Sequence, residues 1–180
     1  MMETVRMPSM DGEVRSLYEI SFSDIEKIPQ ENISRALSSG AFLDRYEESG
    51  VFIGFTMGFI DGDRIFLIYF ATRPEVRGKG YGSRILDMLR SEFPGHRIFL
   101  VTEPLDQDAP DIDIRRRRQD FYRRNGCRDT GVRVISDDAW FDTMFVQGEL
   151  SEEEMVSVIG LYEDIHNGRK HRLRSVASTA

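Results

Sequence analysis

A chain of 180 residues, 40% hydrophobic and 31% charged, is long enough for one domain with a sizeable core and short for two. Its formal net charge of −7 argues against a nucleic-acid-wrapping protein, which needs a basic footprint, although a local basic patch can still bind an anion. The single cysteine, Cys127, leaves no internal disulfide, no run reaches the apolar length of a membrane span, and the N-terminus has no apolar leader segment. Cytoplasm is the default expectation, with neither a membrane nor a nucleic acid as partner.

In chain order, residues before Asp11 read as a short strand, and 13–22 place Val14, Leu17, Tyr18 and Phe22 at helical spacing. Residues 31–39 read as a second short helix with Gly40 as its C-terminal cap. In 51–59, Val51, Ile53, Phe55, Met57 and Phe59 are expected on one strand face, with Gly54, Thr56 and Gly58 on the other. Asp61-Gly62 signals a hairpin, and 64–71, apolar on both faces, reads as its central-strand partner. The pattern then turns helical over 78–92, with Tyr81, Ile85, Leu86, Leu89 and Phe93 in one stripe, and Pro94-Gly95 ends it.

Residues 97–102 read as a buried strand, parallel to 64–71 across a right-handed helical crossover. An acidic loop over 104–113 leads to a basic helix over 114–125, ended by Gly126. Two closing strands, 128–135 and 140–146, are joined by a turn at Ser136-Asp137-Asp138. Ser151 and Glu154 have capping-box spacing at the head of a last helix, with Met155, Val158, Ile159, Tyr162 and Ile165 as its apolar stripe and Gly168 at its end. Residues 1–168 are thus expected to form one domain, and the basic 169–180 segment reads as a solvated, disordered tail.

The chemistry is concentrated in Arg77-Gly78-Lys79-Gly80-Tyr81-Gly82-Ser83, where a buried strand ends and a helix opens. The first N–H groups of a helix lack internal partners, and its dipole adds positive potential. Glycines there let an anion reach the backbone, and Arg77, Lys79 and Arg84 add charge. Such a turn is a pyrophosphate seat. The spacing is neither GxxxxGK[ST] nor GxGxxG, and a kinase glycine loop joins two strands instead of opening a helix.

The Arg-x-x-Gly-x-Gly pattern closely resembles the cofactor loop of the GNAT superfamily of N-acetyltransferases. Phe121-Tyr122-Arg123-Arg124-Asn125-Gly126-Cys127 is similar to that superfamily's late FYxxxGF segment. Leu17-Tyr18 through Phe22, Glu103-Pro104, and the arginines at 115–118 before Phe121-Tyr122 are similar to an uncharacterised bacterial subgroup. The likeness spans roughly residues 14–146. Thr72 departs from the usual aliphatic residue and Cys127 from the usual Phe, neither of which threatens cofactor binding.

The resemblance implies an α/β (α+β) fold: a mostly antiparallel mixed sheet with a splayed central parallel pair, flanked by helices. It implies acetyl-coenzyme A as co-substrate, with Phe70, Ala71 and Thr72 pairing with the pantetheine arm and Arg77 to Ser83 holding the pyrophosphate. It implies direct transfer of acetyl to a primary amine of a small molecule or peptide. Tyr122 is the candidate acid, although the same position suits a packed core aromatic. Glu103, at the carboxyl end of its strand, is the candidate base or a seat for a cationic amine, with Asp106 and Asp108 as alternatives and a solvated turn residue as the plainer reading. Arg115 or Arg118 is a possible contact to phosphate or to an acidic group.

No metal-ligand spacing links His96, His166, His171 and Cys127, and no serine-nucleophile motif is present. The competing reading is a non-catalytic coenzyme A-binding regulatory or interaction module. Exposed edge strands make a homodimer plausible.

Overall fold

The computed structural model describes residues 1–24, 26–105, 109–136, 139–167 and 174–177. Strand β1 (Met2–Arg6) precedes helices α1 (Gly12–Ser21) and α2 (Gln30–Leu37). The Asp11 carboxylate starts α1 by accepting from the Val14 N–H at 2.9 Å, as a good N-cap does. Strands β2 (Ala41–Glu48) and β3 (Val51–Asp61) form a hairpin whose two-residue turn, Ser49-Gly50, has positive φ at both positions.

Strand β2 has no counterpart in the sequence reading. Its centre is occupied by Asp44 and Arg45, both buried, which interrupt the apolar signal. Each charge is satisfied by partners distant in sequence: Asp44 accepts from Arg6, and Arg45 reaches Asp11 at 2.9 Å and Glu13, with the nearby Glu47 as a further partner.

Strand β4 (Arg64–Thr72) returns from the Gly62 turn, and a 3-10 turn at Pro74–Val76 leads to helix α3 (Tyr81–Glu92). The helix therefore begins at Tyr81, not at Gly78, because Gly78 and Gly80 have positive φ (75° and 81°) and cannot extend it. Strand β5 (Arg97–Thr102), helix α4 (Ile112–Arg124), strands β6 (Arg128–Ser136) and β7 (Ala139–Gln147) and helix α5 (Glu152–Asn167) follow. Both capping-box bonds of α5 form, Ser151 N–H to Glu154 at 2.9 Å and Glu154 N–H to Ser151 Oγ at 3.2 Å. Asp137, Asp138 and Gly168, read as turn and cap, lie outside the described residues.

With a last strand β8 (Arg174–Ala177), the strands form one sheet in the order β1-β2-β3-β4-β5-β7-β6-β8. Strand β8 pairs antiparallel with β6, so this part of the basic tail belongs to the sheet where no structure was expected; the rest of 169–180 lies outside the described residues. Only β4 and β5 are parallel among the described pairings.

Helices α1, α2 and α5 cover one face over Leu43, Phe55, Met57, Phe66 and Phe99. Helices α3 and α4 cover the other over Ile65, Leu67, Ile98, Leu100 and Met144. Within β3, Ile53 and Phe55 were expected to share a face, but Ile53 packs with Tyr46 and Ile85 while Phe55 packs under α1. The register against β2 slips there, with Phe52 opposite Glu47 and Gly54 opposite Tyr46, so the bulge at Ile53 flips the alternation.

Candidate active site

Strands β4 and β5 pair from Arg64↔Arg97 only as far as Leu67↔Leu100. Strand β4 runs on to Thr72 and β5 to Thr102, so their carboxyl ends part. The separation begins at a bulge. Leu67 and Tyr69 sit opposite successive β3 residues, Gly58 and Met57, leaving Ile68 as the extra residue. A bulge bends its strand and sharpens the twist. The side chains record it: Leu67 packs under α3 and α4, Ile68 and Tyr69 both face the opposite layer, and Phe70 returns to the first. Beyond Leu67, the β4 edge facing β5 has no partner in the ladder between these two strands.

At the end of this strand lies the glycine loop. Gly80 precedes α3 with no side-chain cap, and the first turn carries no acid. A Cβ built on Gly78 or Gly80 meets nothing within 4 Å, so both face open space. Unsatisfied amides, a helix dipole and backbone open to approach make an anion seat. Gly82 differs: its Cβ would stand 3.0 Å from the Phe121 ring, so this glycine lets α3 approach α4.

The three cations of the loop have separate fates. Lys79 is exposed, and Arg77 Nε reaches back to the Thr72 carbonyl at 3.3 Å. Arg84 does not face the seat alone, because it is held by Glu48 at 2.7 Å. Tyr81 Oη also donates to Glu48 at 2.5 Å, so its side chain turns toward β2 while its backbone stays at the helix start. The hydrogen bond from Arg84, followed by that from Tyr81, pulls the Glu48 carboxyl down to about 2.

On the β5 side, Tyr122 of α4 is buried beside Phe70 (ring centroids 6.3 Å apart) and Phe121 (5.4 Å). Burial raises its phenol well above the ordinary value, and the Arg118 charge opposes that rise. Glu103 follows β5, and its carboxylate accepts from Arg118 Nη1 at 2.5 Å. Gln119 pins this corner by donating to Thr102 Oγ1 and to the Glu103 carbonyl, each at 3.1 Å. Arg115 is paired with Asp111 at 2.9 Å and Arg116 with Asp113 at 2.8 Å, while Arg118 reaches Glu103 at the end of β5. Asp106 and Asp108 lie outside the described residues.

The family model described as "Acetyltransferase (GNAT) family" matches residues 8–127. The chain belongs to the GNAT acetyltransferase family. It is accordingly an acyltransferase, and the splayed strand pair and glycine loop lie within the matched span. Solved structures of similar fold include a GNAT-family protein from Bacteroides thetaiotaomicron, 21% identical, with a TM-score of 0.62 over 86% of this chain and 88% of that one. An aminoglycoside 6'-N-acetyltransferase complexed with coenzyme A is 14% identical, with a TM-score of 0.57 over 82% and 99% of the two chains. A GNAT acetyltransferase from Elizabethkingia anophelis with acetyl-CoA bound is 12% identical, with a TM-score of 0.56 over 80% and 94%. No curated protein matches the chain by sequence.

Two residues of this candidate site were not singled out from the sequence. One is Gln119, for which no pattern speaks. The other is Glu26, in the loop between α1 and α2, whose carboxylate stands 3.6 Å from Arg118 Nη1. Ser23-x-x-Glu26 has capping-box spacing, and Ser23 N–H and Oγ both donate to Glu26 at 2.9 Å. That spacing was the available signal.

Proposed function

We propose that the protein is an N-acetyltransferase that moves an acetyl group from acetyl-coenzyme A to a primary amine of a small molecule or peptide, by direct attack within a ternary complex. The observation that carries this reading is the parting of β4 and β5 after Leu67↔Leu100, followed by a helix without a side-chain cap that begins just after Gly78 and Gly80. An extended pantetheine arm suits the open flank of β4 at Phe70, Ala71 and Thr72. The pyrophosphate suits the backbone from Arg77 to Ser83, with Lys79 as the exposed cation. The solved relatives with coenzyme A or acetyl-CoA bound support that choice of ligand.

In this reading the chain's own groups have distinct tasks. A backbone N–H near Thr72 steadies the negative charge that develops on the thioester oxygen. Tyr122 supplies a proton to the departing thiolate, and burial keeps its phenol protonated until it is needed. Glu103 takes the amine proton, directly or through water. Its pairing with Arg118 holds the carboxylate in place.

Incubation with acetyl-coenzyme A and a panel of primary amines tests the assignment, with free thiol and acetylated amine measured together. Amine-dependent release of both in equal amounts is expected. Tight coenzyme A binding with no transfer to any amine would point instead to a binding module.

A further inference from the structure

The loop between α1 and α2 belongs to one layer of the fold and α4 to the other, yet they touch. Arg118 Nη1 lies 3.6 Å from Glu26 Oε1 and 2.5 Å from Glu103 Oε2. The anchors of Glu26 and Glu103 come from opposite sides of the gap. Tyr69, on β4 just past the bulge, donates its hydroxyl to the Glu26 carbonyl at 2.6 Å. Gln119 ties the Glu103 carbonyl to α4 beside the end of β5 at 3.1 Å. The two carboxylates therefore flank the opened strand ends, with one guanidinium between them.

Glu26 is held in advance. Its carboxylate accepts from Ser23 N–H and Oγ, each at 2.9 Å, and its side chain is 19% exposed, that of Glu103 14%. Preorganised groups bind without a further ordering cost. Among the described residues, the cluster's charges are two carboxylates and one guanidinium, a net of one negative charge in a half-desolvated place.

We infer that Glu26 is the residue that selects the acceptor. With Glu103 and Arg118 it forms a seat for a cationic amine that bears no acid group next to the reacting nitrogen. A protonated amine brings the seat to neutrality. An amino-acid zwitterion brings a third carboxylate and leaves the excess negative charge in place, and like charges at short range in a poorly solvated site repel strongly. Arg118 does not rescue the acid, because both neighbouring carboxylates already share its charge. Free α-amino acids are thereby excluded, while amines, amino-acid amides and peptide N-termini are admitted.

This inference rests on the acetyl-transfer reading for its location but is tested by binding. Phenylalaninamide and phenylalanine, and alaninamide and alanine, are titrated against the full chain by calorimetry, with and without saturating coenzyme A. Each pair matches in shape and differs by one charge. The amide is expected to bind at least about tenfold more tightly than the acid. Glu26→Gln is expected to remove most of that difference while retaining the Ser23 hydrogen bonds to its amide oxygen. Equal or tighter binding of the acids, no binding of either member of both pairs at millimolar concentration, or a preference unchanged in Glu26→Gln would each overturn it. A charge preference seen without any acetyl transfer would instead count against the transfer reading alone.

Discussion

The carbonyl oxygen of Ala71 lies 2.4 Å from where a Cβ on Gly54 would stand, with Thr72 Cα at 3.1 Å. Strand β3 therefore presses against the free end of β4 at the residues assigned to the pantetheine arm, with backbone meeting backbone. No side-chain rotation relieves that contact. Gly54→Ala is expected to destabilise the protein by about 3 kcal/mol, as overpacking does, and to shift the end of β4. Urea unfolding measures the first effect and coenzyme A affinity the second. An alanine variant as stable as the parent, with unchanged affinity, would mean that the close contact does not set the position of this strand.

At Gly80 the constraint is of another kind. Its φ of +81° penalises any side chain, but the space around it is empty. Gly80→Ala should cost about 1 kcal/mol of stability. Gly80→Glu should fold as well as Gly80→Ala while losing coenzyme A binding, since it places a carboxylate in the anion seat. Coenzyme A affinity of Gly80→Glu equal to that of the parent would refute the loop assignment, whatever its thermal stability.

Much of this was readable in advance because it depends on local chemistry. The glycines of the loop, the Asp61-Gly62 turn, the α5 capping box and the β4–α3–β5 crossover all obey short-range rules. What escaped depends on partners distant in sequence. Strand β2 was hidden because Asp44 and Arg45 look like surface residues until Arg6 and Asp11 are seen beside them. The face of Ile53 was misread because a bulge is a property of two strands, not one. The bulge at Ile68 is likewise invisible in an unbroken apolar run, although the parting of β4 and β5 that begins there was implied by family resemblance. Tyr122 and Glu103 were named individually, but the Arg118 that ties Glu103 to Glu26 joins segments 15 and 92 residues apart, counted as 118 − 103 and 118 − 26.

Removing one hydroxyl tests Tyr122 without disturbing its ring packing on Phe70 and Phe121. Tyr122→Phe is expected to lower turnover by about a hundredfold, the low end for loss of a general acid, with coenzyme A affinity and thermal stability nearly unchanged. Because burial holds the phenol above its ordinary value of about 10, the ratio of parent to variant rates should stay constant between about pH 7 and 9. A ratio that closes as pH rises through that range would mean the hydroxyl ionises there and does not serve as the proton donor. Equal losses of turnover and affinity would move Tyr122 to a binding role.

Stability at high pH offers a last check on the packing around the site. Burial raises the phenols of Tyr46, Tyr69, Tyr122 and Tyr162 in the folded chain, and raises the Cys127 thiol as well. In the unfolded chain these groups ionise near about 8.5 for the thiol and about 10 for the phenols. Above those values the unfolded state binds fewer protons than the folded one, so stability must fall as pH rises. These groups contribute no pH dependence below about pH 8, a shallow decline begins with Cys127, and each buried tyrosine then adds about 1.4 kcal/mol per pH unit beyond about pH 10. Denaturant titrations from pH 8 to alkaline conditions, with tyrosinate absorbance followed in parallel, should show the buried tyrosines ionising only as the chain unfolds. Full tyrosine ionisation near pH 10 in a protein whose circular dichroism remains native would show that water reaches these rings, Tyr122 among them, and that the strand gap is wetter than its packing implies.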